Sequence, residues 1–462
     1  MDKPLYQLVA QQMQARIQTM QQGERLPSVR VLADELGVSH STVIEAYRAL
    51  EQAGFCYSRP RSGMFALPAR EEAPIPFPHQ KEGIRETIDF MSGVPGADAF
   101  PFASFKQAIS DVLDADREKA FTYQPVYGYE GLRVAIAAMM ERQGVPCQAE
   151  NVLVTSGAQQ ALDIVARQFL RPGGVQDAIC MENPSYPGAQ SAFAARGARI
   201  LGIPVTTGGM DLDLLEAFAR RARPKLVYTM PLLQTPTATC MGESDMQRLC
   251  LLSEKLDFYI LEEDVVGELL DVPRKPLYAI APQRVIYIKS FSKIMMPGIR
   301  TGFLLAQPQL VEALSQVKGQ IELSASGLIQ RALCRCLDND THQTHVNSLR
   351  SMFQGRRELA SSYLNRWKQW GLDFRIPEGG VDFWLTLPEG LRDSEVTAAC
   401  LGQGVSVGAG SRYYCTPMAN SHRHLRFSVA ASGDAALNKG LPILGEVLRL
   451  LVSRKAGKLY IE

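Results

Sequence analysis

A two-part α/β chain is what this sequence predicts, and three observations carry it. Near the N-terminus, two short helical patterns are broken by Gly37-Val38-Ser39, the spacing of a helix-turn-helix. From Asp89 onward, short apolar strand candidates alternate with helical patterns, the mark of a mainly parallel sheet. Between the two, residues 68–88 hold four prolines and mixed charge, the composition of a semi-extended linker. The domains so drawn are 1–67, 68–88 and 89–462.

Taken in order, residues 4–21 carry Leu5, Leu8, Val9, Met13, Ile17 and Met20 as one helical stripe. Leu26-Pro27-Ser28-Val29-Arg30 leads to a second helix, Val31 to Leu36, with Gly37 as its C-cap. Ser39 caps a third helix reaching about Ala53, and in a helix-turn-helix this is the helix whose N-terminus enters the major groove. Phe55 to Phe65 reads as two short strands around a basic turn, the wing of a winged helix. In the large part, Asn151 to Asp163 reads as strand, tight turn and helix, with backbone N–H groups at Ser156–Gln159 forming an anion site at the helix start. Further on, Val285-Ile286-Tyr287-Ile288-Lys289 has the length and β-branched content of a buried strand. Lys293 follows at its mouth, where open α/β sheets keep their ligands. Ser290 and Ser292 just before it and Arg300 seven residues after it suit a dianionic phosphate. That set fits pyridoxal 5′-phosphate (PLP), whose aldehyde forms a Schiff base with a lysine amine.

Composition narrows the class. With 462 residues the chain fits two or three domains, and 46% apolar with 21% charged residues is ordinary globular usage. A net charge of +1 gives no global pull toward nucleic acid or a membrane surface. No apolar run approaches the roughly 18 residues of a bilayer span, so no membrane partner is expected. The nine cysteines are scattered, Cys334 and Cys336 being the nearest pair. They read as reduced, in a cytoplasmic protein without a signal peptide. His342/His345 and His422/His424 lack neighbouring cysteine or carboxylate ligands in the pattern, so no metal site is expected.

The run from Leu26 through Gly54, L-P-S-x-R-x-L-A-x-x-L-G-V-S-x-x-T-V-x-x-A-Y-x-x-L-x-x-x-G, resembles the GntR family of bacterial regulators. The resemblance spans nearly all of residues 4–67 and implies binding to double-stranded operator DNA. It implies contacts at Arg30, Ser41, Thr42 and the wing residues Arg61 and Gly63. His40 stands where the family usually has arginine, a poorer phosphate ligand. Residues 1–70 hold eight Lys/Arg and six Asp/Glu, a modest +2.

Residues 89–455 resemble the fold-type I aminotransferases, with large and small subdomains. The resemblance implies PLP as cofactor, with Lys293 as the Schiff-base lysine and Ser156, Gly157, Ala158, Ser290, Ser292 and Arg300 around the phosphate. It implies Tyr186 stacking on the pyridine ring and Tyr123 reaching the phosphate of a neighbouring subunit, hence a homodimer. Arg426 would take a ligand's α-carboxylate. The order of the two parts resembles the MocR subfamily of GntR regulators.

Departures from the family's pattern concern the ring, not the phosphate. The usual E-D-D-x-Y-G-E-L appears as Glu262-Glu263-Asp264-Val265-Val266-Gly267-Glu268-Leu269. Anchoring on Gly-Glu-Leu sets Glu263 at the pyridine nitrogen, while a one-residue bulge would put Asp264 there. Val266 replaces a tyrosine, and Gln234-Thr235-Pro236-Thr237-Ala238 lacks the asparagine of Q-N-P-T-G. Two lost donors perturb the imine's electronics. Retained binding with eroded chemistry implies a transcriptional regulator that senses PLP, a small amine or an amino acid, leaving room for residual half-transamination. The alternative is a working aminotransferase with an added DNA-binding domain.

Overall fold

A computed structural model describes residues 5–18, 20, 24–52, 55–59, 63–66, 87–170, 177–338, 341–416 and 418–458. Two compact units divide between Ile84 and Arg85. The first holds α1 (Leu5–Gln18), α2 (Val29–Leu36), α3 (His40–Gln52), β1 (Cys56–Arg59) and β2 (Gly63–Ala66). Helix α2 starts two residues earlier than its sequence pattern suggests, because Ser28 is the cap: its Oγ accepts from the Val31 N–H at 3.3 Å. Gly37, at φ 64°, closes the helix in the left-handed region. Ser39 Oγ accepts from the Thr42 N–H at 3.2 Å and starts α3. Val9, Met13 and Ile17 of α1 pack against Leu32 and Ala33 of α2 and Val43, Ala46, Tyr47 and Leu50 of α3. The Tyr47 hydroxyl donates to the Pro27 carbonyl at 2.7 Å, tying α3 to the approach of α2. Strands β1 and β2 form the expected antiparallel wing, Cys56 opposite Ala66 and Arg59 opposite Gly63. Residues 24–26 run beside β2, with Leu26 N–H on the Met64 carbonyl at 2.9 Å and Ala66 N–H on Glu24 at 2.8 Å.

The second unit opens with β3 (Ile88–Phe90), α4 (Phe102–Asp116) and α5 (Glu130–Arg142). Next come β4 (Val152–Thr155), α6 (Ala158–Phe169), β5 (Ala178–Asn183), α7 (Pro187–Ala194), β6 (Arg199–Thr206) and β7 (Gly209–Met210). They lead to α8 (Leu212–Ala222), β8 (Leu226–Thr229), α9 (Glu243–Leu256), β9 (Tyr259–Asp264), β10 (Val285–Ser290) and β11 (Gly302–Leu305). These strands make one sheet in the order β4-β11-β10-β9-β8-β5-β6-β7. From β10 to β6 it is parallel, while β11 and β7 run antiparallel to their neighbours. Apolar side chains of α4, α5, α8, α9 and α11 (Gly327–Asp338) cover one face, and those of α6, α7 and α10 (Pro308–Gly319) the other. Covering both faces explains why β5 and β10 read as continuous buried runs.

A smaller sheet follows, order β12-β13-β15-β14-β3, from β12 (Asp373–Phe374), β13 (Asp382–Thr386), β14 (Val405–Ala409) and β15 (His424–Ser428). It packs against α12 (Thr341–Trp367), α13 (Asp393–Gly402) and α14 (Asp434–Lys458) through Phe353, Leu364, Val396, Leu441 and Leu444. Because β3 pairs in parallel with β14, Ile88 opposite Val405, Ile88 already belongs to this sheet and not to a linker.

Sequence reading counted Lys289 as the end of a strand; packing makes it a fully buried cation. Its ammonium lies 3.5 Å from Asp264 and 3.3 Å from Glu268. The Tyr287 hydroxyl donates to Asp264 at 2.7 Å, and Gln143 and His342 both lie 2.9 Å from Glu268. Burial would raise the Glu268 carboxyl, but Lys289 and His342 hold it well below the usual range. Lys289→Met should leave Asp264 without its cation and Glu268 with His342 alone, and destabilise the protein by about 3–5 kcal/mol. Urea denaturation at neutral pH checks this; an unchanged midpoint would show that the cluster carries no such charge coupling.

Candidate functional site

Strands β4, β5, β8, β9 and β10 all end on one side of the large sheet, and the loops there hold the residues the sequence singled out. Gly302 of β11 lies opposite both Thr155 and Ser290, so the turn before α6 and the Lys293 loop are only two strands apart. Arg300, in the left-handed region at φ 44°, reaches across and donates to the Ser156 carbonyl at 3.0 Å. A Cβ on Gly157 would sit 3.1 Å from the Arg300 guanidinium, and φ 92° there also requires glycine. The first turn of α6, with Ala158 leading, adds the free N–H donors that every helix start leaves. Ser290 Oγ accepts from the Ser292 N–H at 3.2 Å. The Ser292 hydroxyl is buried and, among the described residues, has no hydrogen-bond partner. The Ser156 hydroxyl turns to Glu322, 2.7 Å away, whose other oxygen takes Gln160 at 2.9 Å. Glu322 was missed because nothing in its local sequence marks it; only the loop after α10 brings it there.

Burial lowers the Lys293 amine to about 8, assisted by Arg426 and opposed by Asp382 and Glu263. Near neutral pH a useful fraction is therefore the neutral, nucleophilic form. Strand alternation sends the two acidic candidates to opposite faces of the sheet. The β9–β10 register is unbroken, Glu263 opposite Ile288 and Asp264 opposite Lys289, so no bulge intervenes. Glu263 faces Lys293 and accepts a hydrogen bond from the Tyr228 hydroxyl. Asp264 points to the other face, held by Tyr287, Lys289 and the Gly267 N–H, and does not reach the Lys293 side. Tyr186, at the head of α7, sits in the field of Glu263, Arg300 and Arg426, and burial pushes its hydroxyl up to about 12. Tyr123 is 82% exposed and makes no described contact with this cluster.

Arg426 departs from expectation. Its Nε and Nη2 donate to the two carboxylate oxygens of Asp382 at 2.8–3.1 Å, and Nη1 donates to the Met91 carbonyl at 2.6 Å. The expected carboxylate receptor is thus already paired internally. Asp382 went unnoticed because its partner lies 44 residues away, on a neighbouring strand.

In the smaller unit, His40 and Ser41 are exposed at the start of α3, and Thr42 is half-buried. The Ser41 and Thr42 hydroxyls each lie 2.8 Å from Ser39 Oγ. Arg30 is exposed on α2, and Gly63 is exposed where β2 begins. The Arg25 guanidinium lies against Gly63, a neighbour that only the pairing of residues 24–26 creates. Arg61 lies outside the described residues.

Comparison with known proteins agrees with this geometry. Residues 85–441 match the family described as aminotransferase class I and II. The chain belongs to that family. Residues 5–66 match the bacterial regulatory proteins of the gntR family. This aminotransferase-family chain is 30% identical to aromatic-amino-acid aminotransferase 1 of Thermococcus litoralis, over 79% of its own length and 88% of the relative's. It is 29% identical to the probable rhizopine catabolism regulatory protein MocR of Rhizobium meliloti, over 89% and 88%. Among solved structures it resembles LysN, the α-aminoadipate aminotransferase of Thermus thermophilus complexed with N-(5′-phosphopyridoxyl)-L-leucine. The TM-score is 0.74 at 28% identity, covering 80% of this chain and 94% of that one. A gntR-type helix-turn-helix ahead of an aminotransferase domain is the architecture of a transcriptional regulator.

PLP is the cofactor of this aminotransferase-family domain, and the residues fit it. The α6 N-terminus, Arg300 and the orphaned Ser292 hydroxyl supply anion donors, Lys293 the amine, and Glu263 an acid beside it. Val266 and Thr235 stand where donors to the ring oxygen were expected. Burial raises the Glu263 carboxyl from 4.5 to about 7, against the Tyr228 bond and Lys293. A folded value above the unfolded one means its contribution is complete below about 4.5 and is lost as pH rises through about 7. Between pH 5 and 8, PLP-free wild type should therefore lose about 2–3 kcal/mol more stability than Glu263→Gln, seen in urea midpoints across pH.

Proposed function

We propose that the chain is a DNA-binding regulator whose aminotransferase-type domain senses PLP or a small amine instead of turning substrate over. The observation that carries the reading is the pairing of an intact anion cradle and reactive Lys293 with apolar Val266 where the ring's donor was expected. PLP, when bound, supplies an aldehyde carbon that condenses reversibly with primary amines. The chain's own groups divide the remaining work. Arg300 and the α6 N-terminus hold the phosphate, Glu263 faces the pyridine nitrogen, Tyr186 covers the ring, and Lys293 offers its amine. A ligand shifts the regulator only through unequal affinity for its two conformations. Tyr123, exposed in the single chain, supports a homodimer in which it completes the partner's site, and paired heads would read paired half-sites. On this reading the protein works in the cytoplasm. In the DNA-binding unit, Arg30 and the Ser41 and Thr42 hydroxyls contact phosphates and base edges, together with Arg61 and Gly63 of the wing.

A second reading, a working aminotransferase with an added DNA-binding domain, is favoured by the 30% identity to a transaminase. Steady transamination of an amino donor with 2-oxoglutarate, abolished by Lys293→Ala, would establish it.

Borohydride reduction of the PLP-loaded protein, followed by peptide mapping, should place a pyridoxyl group on Lys293 and none in Lys293→Ala. An adduct elsewhere, or none, refutes the assignment. Arg30→Ala should weaken DNA binding about equally for all sequences and reduce the salt slope by about 1, measured by fluorescence anisotropy across a salt series.

A further inference from the structure

The Arg426 guanidinium spends its Nε/Nη2 edge on Asp382 and an Nη1 donor on the Met91 carbonyl. Asp382 and Arg426 are diagonal neighbours on one face of the β13–β15 pair, Asp382 opposite Ser428 and Trp384 opposite Arg426. Both carboxylate oxygens of Asp382 are engaged by Nε and Nη2, while Nη1 lies on the Met91 carbonyl. Tyr413 adds a further hydrogen bond. The arrangement is built in tightly: a Cβ on Gly93 would fall 2.2 Å from Nη2, so glycine at that position lets the guanidinium lie against the 91–93 backbone. Both charges act on Lys293, so the pair lies within electrostatic reach of that amine.

An α-carboxylate seeking Arg426 competes with Asp382 for the Nε/Nη2 edge. It must either displace that side chain from Arg426 or remain as a second anion beside a guanidinium already paired. Each outcome leaves a buried carboxylate without its partner. A primary amine with no carboxylate disturbs nothing. Beside the pair, the Trp384 ring stacks on His424 at 5.0 Å between centroids, and Tyr413 meets its edge at 6.0 Å. This half-buried aromatic wall suits an apolar body attached to the amine.

We propose that the ligand taken beside Lys293 is a primary amine lacking an α-carboxylate, and that Asp382 is the specificity-determining residue that excludes amino acids by occupying Arg426. This deepens the sensing function and rests on PLP binding at Lys293.

The test compares a matched pair, 2-phenylethylamine and L-phenylalanine, which differ only in the carboxylate. Each is titrated into the PLP-loaded full-length protein while the absorbance of the bound cofactor is followed, giving a dissociation constant independent of turnover. Wild type should bind the amine at least about tenfold tighter than the amino acid. Asp382→Asn, which releases the arginine, should move that ratio toward the amino acid by about tenfold or more. Equal binding of the pair by wild type, or preference for phenylalanine, overturns the proposal without needing the variant to fold. An unchanged ratio in Asp382→Asn overturns the role of Asp382. Absence of any Lys293 adduct after borohydride removes the underlying PLP reading and this proposal with it, whereas an adduct combined with amino-acid preference defeats the proposal alone.

Discussion

The unbroken parallel pairing of β9 with β10 is the constraint on which the site depends. Side chains alternate across a strand with a period of two, so fixing Glu263 opposite Ile288 fixes which face every neighbour occupies. Glu263 is thereby delivered to the Lys293 side, and Glu262 and Asp264 to the opposite face. A slip of one residue would exchange these roles, turning Glu263 toward Lys289 and bringing Glu262 or Asp264 to the Lys293 side. The same register that arms the site thus also neutralises the buried cation behind it.

Charge is managed differently on the two faces. Behind the sheet, Lys289 and His342 compensate Asp264 and Glu268 within one closed cluster of strand and helix residues. In front, the acids are compensated loosely: burial raises Glu263 to about 7, and Lys293 falls to about 8. Groups held near neutrality are responsive to a charged ligand, whereas the rear cluster is a structural anchor. Asp382 and Arg426 form a third arrangement, a buried bidentate pair whose charges also act on Lys293.

Much of this organisation was legible in the sequence because it depends on local chemistry. Gly37, Ser39 and the apolar stripe of α1 announce the helix-turn-helix through caps and periodicity, which are properties of adjacent residues. The turn from Thr155 to Ala158 and the loop from Ser290 to Arg300 each carry a compact signature, and the sheet brings them together as expected. The start of α2 shifted by two residues because the pattern showed the helix but not that Ser28, instead of a later residue, would be its cap.

The sequence by itself determined the two-part architecture and the cofactor class, since short motifs encode the turns and helix starts that those need. Only the tertiary structure decided which faces Glu263 and Asp264 take, the diversion of the Ser156 hydroxyl to Glu322 and the pairing of Arg426 with Asp382. Each turns on the direction of a side chain relative to a partner from 44 to 166 residues away, or on the strand register that sets that direction. Such partnerships arise when strands and loops are packed, and no local pattern records them.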